Sequence, residues 1–228
     1  MSNSIDSNSK KTALVIGSSG LIGSHLVIQL LSNPNFEKVI VFNRRPCLIL
    51  HPKIEEHIID FNNLKAIEPY VKGDVMFCTM GTTIKKAGSK EAFRLVDVVY
   101  PEQFAEMALH NQVKQFLIIS SLGADLHSNN FYLKTKGEIE TYLQNSAFKS
   151  VSILRPSLLL GDRKEFRLGE KIASYVLPVL SLFLIGPFKK YRAIEAKTVA
   201  KAMLEIALQN KSGFNIYPSD ELQTIGNK

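Results

Sequence analysis

The sequence predicts an α/β fold in which helices cover both faces of a doubly wound parallel sheet. Short segments that are apolar on both faces alternate with segments of helical periodicity along most of the 228-residue chain. Hydrophobic residues make up 45% of the chain, enough for one domain with a substantial core. We expect residues 1–11 to form a disordered polar tail and residues 12–228 to form a single domain.

The predicted elements alternate in order along the chain. Strands are predicted from short apolar runs, and helices from apolar residues spaced three and four apart. The predicted strands are 12–17, 38–42, 55–60, 74–81, 115–121 and 150–156, and the predicted helices are 21–32, 90–111, 131–147 and about 197–209. Residues 157–195 break the alternation, so we expect them to form a small C-terminal substrate cap over the carboxyl edge of the sheet.

Three glycines follow the first strand in GSSGLIG (17–23). A strand, a GxxGxxG turn and a helix form the setting of a dinucleotide-binding site. Gly17 would make the tight turn, Gly20 would let a pyrophosphate approach the backbone, and Gly23 would let helix and strand pack closely. The amides of the helix N-terminus would then face the phosphates. The alternative is a tight turn that binds nothing.

The second predicted strand runs into Asn43-Arg44-Arg45-Pro46, where an NAD site usually places a carboxylate for the ribose hydroxyls. Two guanidinium groups suit a 2′-phosphate instead, because the planar fork of arginine binds phosphate oxygens in pairs. We therefore predict NADP(H) as the preferred cofactor, with NAD(H) as the second option. The alternative is a solvated basic turn.

Tyr132 and Lys136 are four residues apart in the predicted helix 131–147 and therefore share one face of it. A neighbouring ammonium stabilises a tyrosinate, so this pair could exchange a proton with a carbonyl or alcohol oxygen. Ser120 and Ser121 end the fifth predicted strand, at the sheet edge where ligands bind. Either hydroxyl could bond the same oxygen. Such a Tyr–Lys pair is also common on solvated helices, but the serines and the glycine turn favour a catalytic role.

Taken together, these motifs resemble those of the short-chain dehydrogenase/reductase superfamily, and most closely the Tat-interacting oxidoreductase-like proteins of its atypical branch. The resemblance spans nearly the whole chain in order. It is carried by GSSGLIG (17–23), NRRP (43–46), DF (60–61), MGTTIKKAG (80–88), VDVVYP (96–101), SSLGAD (120–125), YLKTKGEIE (132–140) and RPSLLLGDRKEFRLGE (155–170).

The resemblance implies a Rossmann fold and a role for each matching residue. The catalytic residues would be Tyr132, Lys136 and either Ser121 or Ser120, with Lys136 also bonding the nicotinamide ribose. At the cofactor, the diphosphate would be lined by Ser19, Gly20, Leu21 and Ile22, the adenosine phosphate by Arg44 and Arg45, and the adenine by Asp60. Met80 and Gly81 would pass beneath the cofactor, and Leu159 and Arg167 would close over the nicotinamide and the phosphates. Many relatives outside this branch carry a relay asparagine near Asp97. We expect Asp97 to cap and pack locally, the alternative being a different relay.

The predicted function is an NADP(H)-dependent oxidoreductase that transfers a hydride between NADPH and a small, apolar carbonyl or alcohol substrate. One alternative is an NADP(H)-binding regulatory or sensor module with little or no turnover. A nucleotide-sugar epimerase or dehydratase uses the same trio but ranks lower, because the chain is short for a sugar-binding domain.

Charge and composition limit the other partners. The net charge is +7, but no run of five or six basic residues occurs, so we expect no nucleic-acid partner. Cys47 and Cys78 form no CxxC and the histidines lack metal-ligand spacing, which predicts free thiols, no metal and a reducing cytoplasm. The uncharged run 172–188 is short for a membrane span. It would form a pocket wall, a subunit contact in a homodimer, or a membrane-surface contact of a monomer or dimer.

Overall fold

A computed structural model describes residues 10–47, 49–161 and 186–228, and its centre is a parallel sheet. The strands are β1 (Lys11–Ile16), β2 (Phe36–Asn43), β3 (Ile54–Ile58), β4 (Val75–Cys78), β5 (Gln115–Ile119), β6 (Ser150–Arg155), β7 (Leu159–Leu160), β8 (Ile194–Glu195) and β9 (Gly213–Pro218). Seven of them form one sheet in the order β3-β2-β1-β4-β5-β6-β9, and every neighbouring pair is parallel. This confirms the predicted α/β class.

Helices cover both faces of the sheet. They are α1 (Leu21–Ser32), α2 (Ile84–Ala87), α3 (Lys90–Arg94), α4 (Tyr100–His110), α5 (Phe131–Gln144), α6 (Ala196–Gln209) and α7 (Ser219–Gly226), with 3-10 helices at Leu64–Tyr70 and Gly186–Tyr191. Ala13 and Val15 of β1 belong to a core shared with α1, α6 and α7, whereas Leu14 and Ile16 belong to a second core shared with α4 and α5. The strand is apolar on both faces because each face meets its own helical layer.

The predicted helix 90–111 is interrupted. A π-helical turn, Leu95–Val99, separates α3 from α4, and the amide of Tyr100 donates to the carbonyl of Leu95. Pro101 explains the wider turn, because it has no amide to donate to the carbonyl four residues earlier and its ring would crowd that carbonyl. The consequence is that Asp97, within the turn, is directed into the protein and buried.

The sequence-based assignment misses β9 and α7. As an edge strand β9 is partly exposed, and Ile216 keeps 41% of its surface in solvent. Its sequence, GFNIYP, contains glycine, asparagine and proline, which are depleted in strands. It therefore lacks the continuous apolar run that identifies the inner strands.

The predicted tail and cap fall only partly within the described residues. β1 begins at Lys11, one residue before the predicted start of the domain, and residues 1–9 lie outside the described part. In the predicted cap 157–195, β7 and β8 pair in parallel, while residues 162–185 lie outside it, with most of the run 172–188. In the described part of the chain, no helix combines the length and apolar character needed to cross a membrane.

Candidate active site

The glycine turn joins β1 to α1 and packs against the end of β4. Gly17 has φ +81°, and a Cβ there would stand 2.6 Å from the amide nitrogen of Met80. A Cβ on Gly23 would stand 2.2 Å from the carbonyl oxygen of Gly17. Neither position has room for a side chain, so the first and third glycines are required by the protein's own packing. The turn, the helix and the end of β4 meet backbone to backbone.

The first turn of α1 lies at the carboxyl edge of the sheet, where the strand order reverses between β1 and β4. Gly20 is the N-cap, and among the described residues no side chain caps the helix. The first helical bond runs from the amide of Ser24 to the carbonyl of Gly20. The amides of Leu21, Ile22 and Gly23 therefore have no acceptor within the helix, and amides in this position bind phosphate well.

The Arg44–Arg45 turn is fixed by a chain of polar contacts. The Ser18 hydroxyl donates to Asn43 Oδ1 at 2.5 Å, and Asn43 Nδ2 donates to Glu56 Oε1 at 2.6 Å. The same carboxylate oxygen accepts the amide of Cys47 at 2.8 Å. These contacts tie the end of β2 to the glycine turn. Arg44 and Arg45 are exposed, and neither forms an ion pair with another described residue.

The predicted adenine and nicotinamide contacts lie along the same edge. Asp60 is exposed after β3, and its Oδ1 accepts the backbone amide of Asn62 at 2.9 Å. Met80 is half-buried and Gly81 exposed after β4. Leu159 is half-buried in β7, and a Cβ on Gly161 would lie 2.9 Å from the Leu21 side chain, so the segment after β7 contacts the first turn of α1. Arg167 lies outside the described residues.

Lys136 is buried on α5, and its ammonium lies at the carboxyl ends of β4 and β5. Its Nζ is 2.8 Å from Asp97 Oδ1 and donates to the carbonyl of Ile119 at 3.4 Å. A Cβ on Gly81 would lie 4.0 Å from the same nitrogen. Burial lowers the pKa of Lys136, but the Asp97 carboxylate, with smaller contributions from Tyr132 and Cys78, offsets burial, so the pKa of Lys136 lies above its ordinary value.

Asp97 is a partner of this lysine. Its Oδ2 accepts the backbone amide of Thr82 at 3.0 Å, and its side chain is fully buried. The expectation that Asp97 caps and packs locally is wrong, because its carboxylate pairs with a residue of another helix. The π-helical turn, which sequence periodicity does not reveal, is what directs it there.

Tyr132 lies one turn before Lys136 on α5 and is half-buried. Its ring packs against Phe93 of α3 with the ring centroids 5.7 Å apart. Phe93 also contacts Phe131, the first residue of α5. The aromatic contacts hold the start of α5 against α3, and the four-residue spacing places the phenol and the ammonium on one side of the helix.

The two serines after β5 have different surroundings. Ser120 is buried, and its hydroxyl donates to Glu140 Oε1. Glu140 also accepts both Nε, at 3.0 Å, and Nη2 of Arg155. Ser121 is half-buried, and the one contact that its hydroxyl makes with other described residues is a long one, 3.5 Å from the carbonyl of Leu122. The Ser120 hydroxyl is therefore engaged within the protein, and the Ser121 hydroxyl is the one left for a ligand.

Glu140 and Arg155 are the functional candidates that the sequence analysis does not single out. The signal is present in YLKTKGEIE, because Tyr132, Lys136 and Glu140 repeat at four-residue spacing along α5. A cavity of about 340 Å³ lies between α5 and β9 and is lined by Glu140 and Arg155, but neither Tyr132 nor Lys136 lines it. It lies apart from the groups that the sequence assigns to catalysis.

Comparison with known proteins shows which family the chain belongs to. A family model described as NAD(P)H-binding matches residues 17–210. Protein HTATIP2 of Rattus norvegicus is 34% identical over 207 residues, which cover 89% of this chain and 84% of the relative. Protein FMP52, mitochondrial, of Candida albicans is 30% identical over 222 residues, which cover 94% of each chain.

Solved structures agree on the fold. The oxidoreductase ylbE from Lactococcus lactis superposes with a TM-score of 0.64 at 14% identity, over 95% of this chain and 97% of that one. MoeE5 in complex with UDP-glucuronic acid and NAD gives a TM-score of 0.69 at 19% identity, over 90% of this chain and 75% of that one. These two likenesses show the fold alone. With the family model and the sequence relatives, the chain belongs to the NAD(P)H-binding family and is related to the HTATIP2 and FMP52 proteins, which confirms the predicted family.

Proposed function

We propose that the protein is an NADP(H)-dependent oxidoreductase acting on a small, apolar carbonyl or alcohol substrate. One observation carries the proposal: a buried lysine ammonium at the carboxyl ends of β4 and β5, one helical turn from a tyrosine on the same side of α5. In a family that binds NAD(P)H, this combination supports proton transfer beside the cofactor.

The described residues fit a phosphorylated dinucleotide. The first-turn amides of α1 lack helical acceptors and suit the diphosphate. Arg44 and Arg45 are exposed on a turn that Glu56 and Asn43 hold in place, which suits a 2′-phosphate. The Lys136 ammonium has three N–H groups, and contacts to Asp97 and the Ile119 carbonyl leave one for a ribose hydroxyl.

The chain's own residues would then orient and protonate the substrate oxygen. Bound NADPH would supply the hydride for the carbonyl carbon. Tyr132 would donate its proton to the carbonyl oxygen, and the positive charge of Lys136 would stabilise the tyrosinate that remains. The Ser121 hydroxyl would orient the oxygen, while Ser120, bonded to Glu140, would hold the loop that carries Ser121.

Comparative titration with NADPH and NADH tests the cofactor. We expect NADPH to bind about 10- to 100-fold more tightly, because charge-assisted hydrogen bonds to one phosphate have that effect. The double variant R44A/R45A should lose the preference and bind NADH as before. Lys211→Ala, which removes an exposed cation beyond the amino end of β9, is the matched control and should bind both cofactors like the parent protein. Equal affinities in the parent protein would contradict the NADP(H) assignment.

Consumption of NADPH across a panel of aldehydes and ketones tests the reaction. Tyr132→Phe should reduce turnover by about 10²- to 10⁴-fold while leaving NADPH affinity nearly unchanged. Tyr142→Phe, the same change farther along α5, is the control and should retain activity. Tight NADPH binding with no turnover on any substrate, together with cofactor-dependent association with another protein, would favour the sensor alternative. Conversion of a nucleotide sugar would favour the epimerase or dehydratase alternative.

We also propose a cytoplasmic location. Cys47 and Cys78 are both free, which suits a reducing compartment. The fungal relatives carry the word mitochondrial in their names. Fractionation of cells that express the tagged protein distinguishes the two, and enrichment with mitochondria would overturn the cytoplasmic assignment.

A further inference from the structure

We propose that Asp97 is a positioning residue that keeps the Lys136 ammonium charged and fixed in the candidate site before any cofactor binds. The use of this charge in catalysis rests on the proposed function. The charge state of Lys136 does not rest on it, because it can be measured on the protein without cofactor or substrate.

Burial makes a partner necessary. The Lys136 side chain keeps 6% of its surface exposed and the Asp97 side chain 0%. A lysine so buried releases its proton at much lower pH unless an anion compensates for the lost hydration. The 2.8 Å contact with the Asp97 carboxylate supplies that anion, and the net rise in the pKa of Lys136 agrees.

The other described groups that face Lys136 do not replace the Asp97 carboxylate. From β4, Cys78 remains a thiol, because burial raises its pKa to about 12. From β5, the contact is the neutral carbonyl of Ile119. On α5, Tyr132 raises the pKa of Lys136 less than the Asp97 carboxylate does, and Glu140 is paired with Arg155. Among the described residues, the carboxylate that forms an ion pair with Lys136 is therefore that of Asp97.

The position of Asp97 is set by the backbone. The π-helical turn directs its side chain inward, and the amide of Thr82 binds the oxygen that does not face Lys136. The carboxylate is thus held from the segment that follows β4, and through it the ammonium is held beside Gly81. An asparagine could still accept the Thr82 amide but would bring no charge to Lys136.

The experiment follows the Lys136 side chain by NMR in protein labelled with ¹³Cε-lysine, with its signal identified by Lys136→Met. In the parent protein it should titrate above the ordinary lysine range. In Asp97→Asn the midpoint should fall to about 2 units or more below that range, because burial is no longer compensated. Asp74→Asn is the matched control. It makes the same charge change at the amino end of β4, where Asp74 accepts the amide of Thr12 at 2.7 Å, and should leave Lys136 unchanged.

Two further measurements test the inference even if Asp97→Asn does not fold. A Lys136 midpoint below the ordinary range in the parent protein would overturn it without any variant. If Asp97→Asn unfolds, the double variant D97N/K136M should regain stability, because it removes the uncompensated buried charge. Equal instability of the single and double variants would overturn the inference.

The cofactor experiment separates this inference from the proposed function. NADPH affinity of Asp97→Asn should fall as pH rises through the lowered Lys136 midpoint, while the parent protein stays level over the same range. If the NMR shift is present but the parent protein does not bind NADPH at all, the charge role of Asp97 stands and the proposed function fails. If Lys136 titrates alike in both proteins, the charge role fails whatever the cofactor does.

Discussion

The two cysteines differ at the residue scale in a way that chemistry can measure. Cys78 ends β4 with no exposed surface, and burial raises the pKa of its thiol to about 12. Cys47 follows the Arg44–Arg45 turn and is only half-buried. Because a thiolate is the reactive form and must be reached, we expect one thiol per native chain to react with Ellman's reagent at mildly alkaline pH, and two after unfolding.

Serine variants assign that reactive thiol. Cys47→Ser should abolish the reaction of the native protein, and Cys78→Ser should leave it unchanged. Rapid modification of both thiols in the native protein would mean that the end of β4 opens to solvent, contrary to its place in the core.

Two glycines near the candidate site also differ in what an added methyl group would meet. A Cβ on Gly23 would lie 2.2 Å from the backbone oxygen of Gly17, whereas a Cβ on Gly81 would lie 3.6 Å from Asp97 Oδ1, an ordinary contact. Gly23→Ala should therefore destabilise the protein by roughly 2–4 kcal/mol, and Gly81→Ala by less than about 0.5 kcal/mol. Urea denaturation measures both. Equal stabilities of Gly23→Ala and Gly81→Ala would show that α1 can shift away from the glycine turn at little cost in free energy.

At the scale of elements, Glu140 joins three parts of the fold. From α5 its carboxylate binds Ser120 after β5 and Arg155 at the end of β6. Removing one partner leaves the other's charge largely buried and unpaired, so Glu140→Ala should cost about 3–5 kcal/mol of unfolding free energy. Glu138→Ala is the matched control on the same helix. Its partner Arg94 is half-exposed, and that pair should contribute less than about 1 kcal/mol.

Denaturation midpoints of the two glutamate variants check this expectation, and a double-mutant cycle of Glu140 with Arg155 isolates the pair. Similar losses at the two positions would show that the Glu140 contacts are no stronger than a surface ion pair. A large loss at Glu140 alone supports its part in holding the Ser120–Ser121 segment.

The elements also show how far sequence reasoning reaches. Strands such as β1 and β4 are buried on both faces, so their unbroken apolar runs identify them. The same pattern fails for β9, where one edge and part of one face meet solvent. Tyr132 and Lys136 are predictable because helical spacing is local. Asp97 and Glu140 are not, because their roles depend on partners brought near by tertiary packing and, for Asp97, on a turn of non-standard width.

At the scale of the whole molecule, the candidate cofactor edge connects both hydrophobic cores. The glycine turn belongs to β1 and α1, the arginine turn to β2, and the Lys136 ammonium is held from α5 and the segment after β4. A ligand that contacts all of them should stabilise the cooperative fold as a unit. At a concentration about 100 times its Kd, a ligand specific for the folded state adds about 2.7 kcal/mol.

For a chain of this length, that free energy corresponds to a rise in Tm of about 5–10 °C. We therefore expect NADPH to raise Tm by about that amount in a thermal melt, and NADH at the same concentration to raise it less, because the exposed Arg44 and Arg45 would bind only the cofactor that carries a 2′-phosphate. The difference between the two cofactors should shrink with added salt, which screens exposed charges, and should vanish in R44A/R45A. Identical shifts with NADPH and NADH in the parent protein, unaffected by salt, would show that the arginine turn lies outside the cofactor site.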